Sequence, residues 1–179
     1  VAWSGWGKVS AARAATRLIA TEYKSHNVDF LLFTGVAGSL SSELKQWDII
    51  LPNEVIQHDL DARPIFKRFY IPNLNIDKLS PKKEWYDWIF KSISKNLNSK
   101  ELSNFRNVHK GLIGTGDKFL SDKDEVKKLK RLLPELKGVE MEGAAVAQVA
   151  HQENIPWAII RVISDTADDS AADEFTNFV

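Results

Sequence analysis

Apolar residues along this chain alternate between short continuous runs and stripes at helical spacing. Phe30-Leu31-Leu32-Phe33 and the segment from Trp157 to Ser164 are continuous runs, the second interrupted only by Arg161. Such runs mark strands buried on both faces, as in parallel sheets covered by helices. Val1 to Ser4, Asp48 to Pro52 and Glu54 to His58 predict further strands, Val108 to Thr115 contains one, and Val139-Glu140-Met141-Glu142-Gly143 leads into an alanine-rich segment. Val9 to Tyr23 is alanine-rich and predicts a helix, with Val9, Ala12, Thr16, Ile19 and Ala20 on its apolar face. Ser80 to Leu97 predicts a second helix, with Ser80 as N-cap, Pro81 at its first position and a stripe of Trp85, Trp88, Ile89, Ile93 and Leu97. The two tryptophans are either core or an exposed partner face. Ser121 is the expected cap of a third helix, whose acids Asp122, Asp124 and Glu125 lie at its positive end and whose lysines lie towards its negative end. Ala144 to His151 predicts a fourth.

Residues 58–80 are polar and irregular, with Pro64, Pro72 and the apolar cluster Phe66, Phe69, Tyr70 and Ile71. This is a long loop, and loops of that length in compact domains are usually functional or disordered. Residues 98–107 form a polar linker. The regular alternation of strand and helix predicts an α/β fold: three layers, α/β/α, around a central mixed, mainly parallel sheet.

Composition narrows the function classes. The 179 residues suggest one domain, and 24 basic against 24 acidic side chains leave no basic footprint for nucleic acid. Zero cysteines exclude a disulfide framework, a thiolate metal site and a cysteine nucleophile. No apolar stretch is long enough for a membrane-spanning helix. The four histidines show no ligand spacing, His58 before Asp59 and Asp61 being the only suggestive one. Asp168, Asp169, Asp173 and Glu174 suit a solvated helix start better than a metal site, and no metal is expected. Val1 to Ser4 has no basic n-region and reads as a strand already under way, not as a signal peptide.

Ligands of open α/β sheets bind beyond the carboxyl ends of the strands. Gly5-Trp6-Gly7, Gly35 to Gly38, Gly114-Thr115-Gly116-Asp117, Glu140-Met141-Glu142 and Ser164-Asp165 all follow expected strands. The glycines serve either close packing or an anion site, and the apolar neighbours Phe33 and Val36 support an anion poorly. Glu140 and Glu142 share one face of an extended segment. Glu142 is either a helix cap or an ionised acceptor for two vicinal sugar hydroxyls. Asp165, at the end of an apolar strand, is either a turn cap or a desolvated acid that holds a proton for donation. Arg161 inside an apolar strand needs a partner, and Glu140 or Glu142 would serve.

The motifs Ser4-Gly5-Trp6-Gly7-Lys8-Val9, Thr34-Gly35-Val36-Ala37-Gly38, His58-Asp59-Leu60-Asp61, Gly116-Asp117-Lys118-Phe119, Val139-Glu140-Met141-Glu142-Gly143 and Arg161-Val162-Ile163-Ser164-Asp165-Thr166-Ala167-Asp168 occur in that order. Together they resemble the 5′-methylthioadenosine/S-adenosylhomocysteine nucleosidases of the nucleoside phosphorylase superfamily, along the whole chain. The resemblance implies cofactor-free hydrolysis of an N-glycosidic bond by a cytoplasmic enzyme. It implies that Asp165 protonates the leaving adenine at N7, with Ser164 holding the acid and Arg161 positioning water. Phe119 would stack on the base and the backbone of Leu120 would bind its edge. Met141 and Glu142 would hold the ribose, Glu142 through its hydroxyls, and Phe175 would line the 5′-alkylthio pocket; Val139, Glu140, Val36, Ala37 and Gly38 would be further substrate-binding positions. The apolar Phe33 and Val36 stand where related phosphorylases bind phosphate, which favours water as nucleophile.

The same resemblance implies one domain that begins after the family's first strand, with its general-base glutamate, and ends before the family's last helix. It also implies a homodimer in which the loop around Phe66 to Pro72, including Phe69 and Ile71, reaches the neighbouring active site.

Overall fold

The computed structural model describes residues 1–21, 27–99, 101–168 and 170–178. Tyr23 and Asp169 lie outside the described residues. Five helices, α1 (Lys8–Ile19), α2 (Lys83–Asn98), α3 (Lys123–Leu132), α4 (Gly143–Gln152) and α5 (Ala171–Phe178), surround six strands. The strands are β1 (Leu31–Ser39), β2 (Ile49–Gln57), β3 (Lys78–Leu79), β4 (Val108–Thr115), β5 (Leu136–Glu140) and β6 (Trp157–Asp165).

The sheet order is β3-β2-β4-β5-β1-β6, and β2 also pairs with β6, so the sheet folds back on itself. The longer pairings, β1 with β6, β2 with β4 and β4 with β5, are parallel. The antiparallel pairings are short; β1 and β5 meet only where Gly38 faces Val139 and Ser39 faces Gly138. That crossing joins the carboxyl ends of two strands. Beside it the β1–β6 register slips: Ala37 pairs with Ile163, but Gly38 pairs with Asp165, so Ser164 is the extra residue.

Three apolar clusters hold the layers. Alanines Ala11 and Ala15 of α1 and Ala144, Ala147 and Ala150 of α4 share one cluster with Leu31, Ile50, Val55 and Ile163 of the sheet. Small side chains let these two helices approach closely. Tyr86, Ile89 and Ile93 of α2 cover Ile49, Leu51 and Ala158. Leu129 of α3 packs with Leu112 and Leu136. No helix among the described residues is long and apolar enough to cross a membrane.

Several expectations are corrected. Val1 to Ser4 is not a strand, because no described strand offers it a ladder of hydrogen bonds, and Trp3 is 87% exposed. The buried face of α1 is Ala11 and Ala15, whereas Val9 is 81% exposed, since only alanine fits against α4. The two strands expected around Pro52 are one strand, irregular between Pro52 and Glu54, where proline has no N–H to give the ladder. Ser80 does not cap α2, because Lys78 and Leu79 are still paired with β2 and the N-cap falls at Lys82. Tyr86 takes the buried place in the stripe, donating its hydroxyl to the Leu51 carbonyl at 3.1 Å, while Trp88 faces outward. Asp122, not Ser121, caps α3, accepting from the amides of Asp124 and Glu125 at 2.8 and 2.9 Å.

Candidate active site

A cavity of about 760 Å³ opens where β1, β5 and β6 end, and Asp165, Ser164, Arg161, Glu142 and Phe119 are among the residues that line it. The slipped register places Asp165 opposite Gly38. Asp165 is buried, and its two oxygens are held from two sides: Ser164 Oγ donates to Oδ2 at 2.7 Å and Ala167 N donates to Oδ1 at 2.9 Å. Ser164 is itself fixed by Gln46, whose amide nitrogen donates to the Ser164 carbonyl at 2.8 Å. Burial pushes the Asp165 carboxyl above its ordinary value; the bonds from Ser164 and Ala167 oppose this, and Glu174 and Asp168 add to it. The result is an acid biased towards keeping a proton.

Arg161 and Glu140 form a fully buried pair. Arg161 Nε and Nη2 both donate to Glu140 Oε2, at 3.1 and 2.5 Å. Glu140 also accepts from Thr115 Oγ1, from Gly143 N at 2.7 Å and from Glu142 N at 3.2 Å. The guanidinium lies 4.3 Å from the centre of the Phe33 ring. Gly35 is required beside it, since a Cβ there would sit 2.7 Å from Nη1. Glu140 thus borders the cavity with its carboxylate held by Arg161, Thr115 and the amides at the start of α4. Arg161 takes Glu140, not Glu142, as its partner.

Glu142 is different. It is the N-cap residue of α4 but makes no side-chain capping bond, which decides against the capping alternative. Its Oε1 accepts from Gly7 N at 2.8 Å. Burial raises its pKa, Gly7 N opposes this, Glu140 adds to the rise and Arg161 opposes it. The carboxylate is half-buried, with acceptor capacity to spare. Asp165 and Glu142 therefore face one cavity as two acids that burial pushes the same way, Asp165 held by Ser164 and Ala167 and Glu142 by Gly7 N.

An aromatic row forms the opposite wall. Phe119 meets Phe175 edge-on at 5.9 Å, and Phe175 meets Trp6 edge-on at 5.8 Å. Leu120, Val139, Met141, Val36 and Ala37 complete an apolar lining. An aromatic and apolar lining that also presents Asp165 and Glu142 suits a heteroaromatic ring that leaves as a base.

The whole chain, residues 1–179, matches the family profile described as phosphorylase superfamily. The 5′-methylthioadenosine/S-adenosylhomocysteine nucleosidase of Staphylococcus haemolyticus is 33% identical over 177 residues, 98% of this chain and 72% of that protein. The crystal structure of the Neisseria meningitidis nucleosidase in complex with methylthio-immucillin-A superposes with a TM-score of 0.83 at 31% identity, over 98% of this chain and 71% of that one. The chain belongs to the 5′-methylthioadenosine/S-adenosylhomocysteine nucleosidase family. The futalosine hydrolase of Helicobacter pylori is similar too, with a TM-score of 0.82 at 30% identity over 99% of this chain and 71% of that one.

Other singled-out residues of this nucleosidase-family chain lie away from the cavity. His58 is buried under the β2 and β4 ends, with Nε2 unpartnered and with burial lowering its pKa. Among the described residues no group of three or more His, Asp or Glu could hold a metal. Asp168 instead accepts from Ser170 N and Oγ, and Glu174 accepts from Thr166 N, as at an ordinary helix start. In the 58–80 loop, Ile71 is 4% exposed and packs in its own subunit, and Phe69 joins the cluster around Leu129; Phe66 and Ile65 remain on the surface. Thr115, which bonds Glu140 and also accepts from Ala144 N at 2.8 Å, was not foreseen as a site support. Trp6 was read only as part of a turn, though its place beside two site motifs was a usable signal.

Proposed function

We propose that this chain hydrolyses the N-glycosidic bond of 5′-methylthioadenosine and S-adenosylhomocysteine, releasing adenine and a thioribose. The observation that carries the reading is the pairing, in one cavity, of Asp165, held by Ser164, with Glu142, held by Gly7 N.

Cleavage of an N-glycosidic bond builds positive charge on the sugar and negative charge on the leaving base. Asp165 gives its proton to adenine N7, so the base departs neutral. Glu142 accepts the ribose hydroxyls and places negative charge beside the oxocarbenium-like sugar. Phe119 stacks on the base, the Leu120 backbone meets its edge, and Met141 and Val139 pack under the ribose. Phe175 borders the 5′ substituent. Arg161 keeps Glu140 fixed and leaves Nη1, 3.5 Å from the Ile160 carbonyl, as the nitrogen to steer water. Phe33 and Val36 give phosphate no donor, so water attacks C1′; the proton it loses as the C–O bond forms goes to the general-base glutamate that the family resemblance implies, a role none of the residues named here takes. No cofactor enters this scheme, and a cytoplasmic location goes with it.

A homodimer is proposed with it, supported by the exposed Ile65 and Phe66 at the tip of the 58–80 loop. The deciding experiment is adenine release from methylthioadenosine in phosphate-free buffer. Release that Asp165→Asn abolishes supports the reading. Release only on adding phosphate makes the protein a phosphorylase, and no release with tight nucleoside binding makes it a binding protein.

A further inference from the structure

We infer that Lys8 is a positioning residue for the ribose side of the site, acting through a three-residue clamp with Asp59 and Asp117. The inference rests on the nucleosidase reading above and adds to it a part that lies outside the cavity-lining acids.

Lys8 is the first residue of α1. A lysine at the positive end of a helix dipole is unfavourable unless something compensates it. Here the compensation is specific. Lys8 Nζ donates to Asp59 Oδ1 at 2.7 Å and to Gln57 Oε1 at 3.2 Å, and its side chain is only 19% exposed. Lys8 N donates to Asp117 Oδ1 at 2.7 Å, so a carboxylate from a distant loop caps the helix. Asp117 N closes the circuit by donating to Asp59 Oδ2 at 2.9 Å. Burial works to raise the Asp59 pKa, but the bonds from Lys8 and Asp117 outweigh it and leave it below the ordinary value.

Two site elements hang from this circuit. Gly7, directly before Lys8, has φ of +85°, a conformation L side chains rarely adopt, and its N–H is the donor to Glu142. A Cβ at Gly7 would also meet Asp117 Oδ1 at 3.0 Å, so the turn and the loop touch directly. Phe119 lies two residues beyond Asp117. One cation therefore sets both the amide that orients Glu142 and the base of the loop that carries Phe119. A third tie runs through Gln57, whose amide donates to Gln148 of α4 at 2.7 Å.

Glu142 and Phe119 are contacts to bound substrate. Lys8→Met leaves the Glu142 carboxylate beside the sugar, so much of its transition-state charge stabilisation is kept; what loosens is the orientation of Glu142 and Phe119 against bound substrate, which raises KM more than it lowers kcat. Partial misfolding does the opposite: it removes active molecules, lowering kcat at unchanged KM. The test is steady-state kinetics of Lys8→Met, Lys8→Arg and Asp59→Asn with methylthioadenosine, together with amide hydrogen exchange over residues 5–8. Lys8→Met and Asp59→Asn should each raise KM about tenfold, with kcat within about threefold of wild type. Lys8→Arg should recover most of the loss, and exchange at Gly7 and Lys8 should quicken in the two clamp-breaking variants. Unchanged KM in Lys8→Met overturns the inference. If the wild-type protein releases no adenine, the proposed reaction fails on its own, and the clamp is then judged by exchange: faster exchange supports it and unchanged exchange overturns it.

Discussion

Gly38 and Asp165 face each other across the β1–β6 pairing so closely that a Cβ on residue 38 would lie 2.7 Å from Asp165 Oδ1 and 3.0 Å from the Ala167 Cβ. The acid occupies the space a side chain would fill. Gly38→Ala is expected to push Asp165 off its bonds to Ser164 and Ala167. A misplacement of this order costs catalysis roughly 100-fold. Gly111→Ala is the comparison, since an equally tight Cβ there, 2.6 Å from Lys137 Cδ and 2.9 Å from its Cγ, strains the fold away from the acid. Adenine-release assays on both variants, with melting curves, would show activity lost in the first and kept in the second.

Asp165→Asn should abolish adenine release without destabilising the fold. The folded-state pKa of Asp165 is raised by burial above its ordinary 3.8. The stability this carboxyl contributes is therefore full below pH 3.8 and is lost as pH rises through the higher folded value. At neutral pH the ionised form is a net cost, and a neutral amide removes it. Asparagine can still accept from Ala167 N and can donate to Ser164 Oγ. Thermal unfolding at pH 7 to 8 should give a midpoint equal to wild type or a few degrees higher, and a clear fall would contradict this.

Breaking the Arg161–Glu140 pair should cost stability before it costs chemistry. Both side chains are almost fully buried, so Arg161→Met strands Glu140, and Glu140→Leu strands Arg161. Each single change is expected to cost about 3–5 kcal/mol, while the double replacement costs less than the sum. Urea denaturation of the three variants measures the cycle, and strict additivity would show that the two charges do not depend on each other.

The exposed tip of the 58–80 loop gives a test of assembly. Ile65 is 80% and Phe66 40% exposed, an unusual outlay of apolar surface on a loop otherwise tied down by Ile71 and Phe69. Light scattering should report a dimer, and Phe66→Asp with Ile65→Asp should shift it to monomer. A wild-type monomer at tens of micromolar would remove the homodimer from the scheme.

What could be read in the chain beforehand follows a physical line. Continuous apolar runs specify strands by themselves, and β4 runs from Val108 to Thr115 as the pattern predicts. Motifs at strand ends were legible because the carboxyl ends of β1, β5 and β6 meet at one rim, which is how Asp165 and Glu142 come to share a cavity with Phe119. Helix starts were not legible to the residue. Ser80 is a good cap by type, but β3 keeps the chain extended past it. Nor could the partner of Arg161 be chosen between two glutamates two residues apart; the turn at Met141 decides it. The Lys8 clamp joins positions 51, 58 and 109 residues apart, and no local pattern encodes such distances.

The slipped register between β1 and β6 carries one more consequence. Side chains on a strand alternate between faces, so a shift of one residue exchanges them. The extra residue at Ser164 sets which of Ser164 and Asp165 lies opposite Gly38. A ladder that ran on without the slip would put the Ser164 hydroxyl where the acid now stands. The proton donor of this scaffold therefore depends on one irregular pairing as well as on residue type. A change that let β6 pair regularly with β1 to its end would turn the acid away from Gly38 while leaving every motif intact.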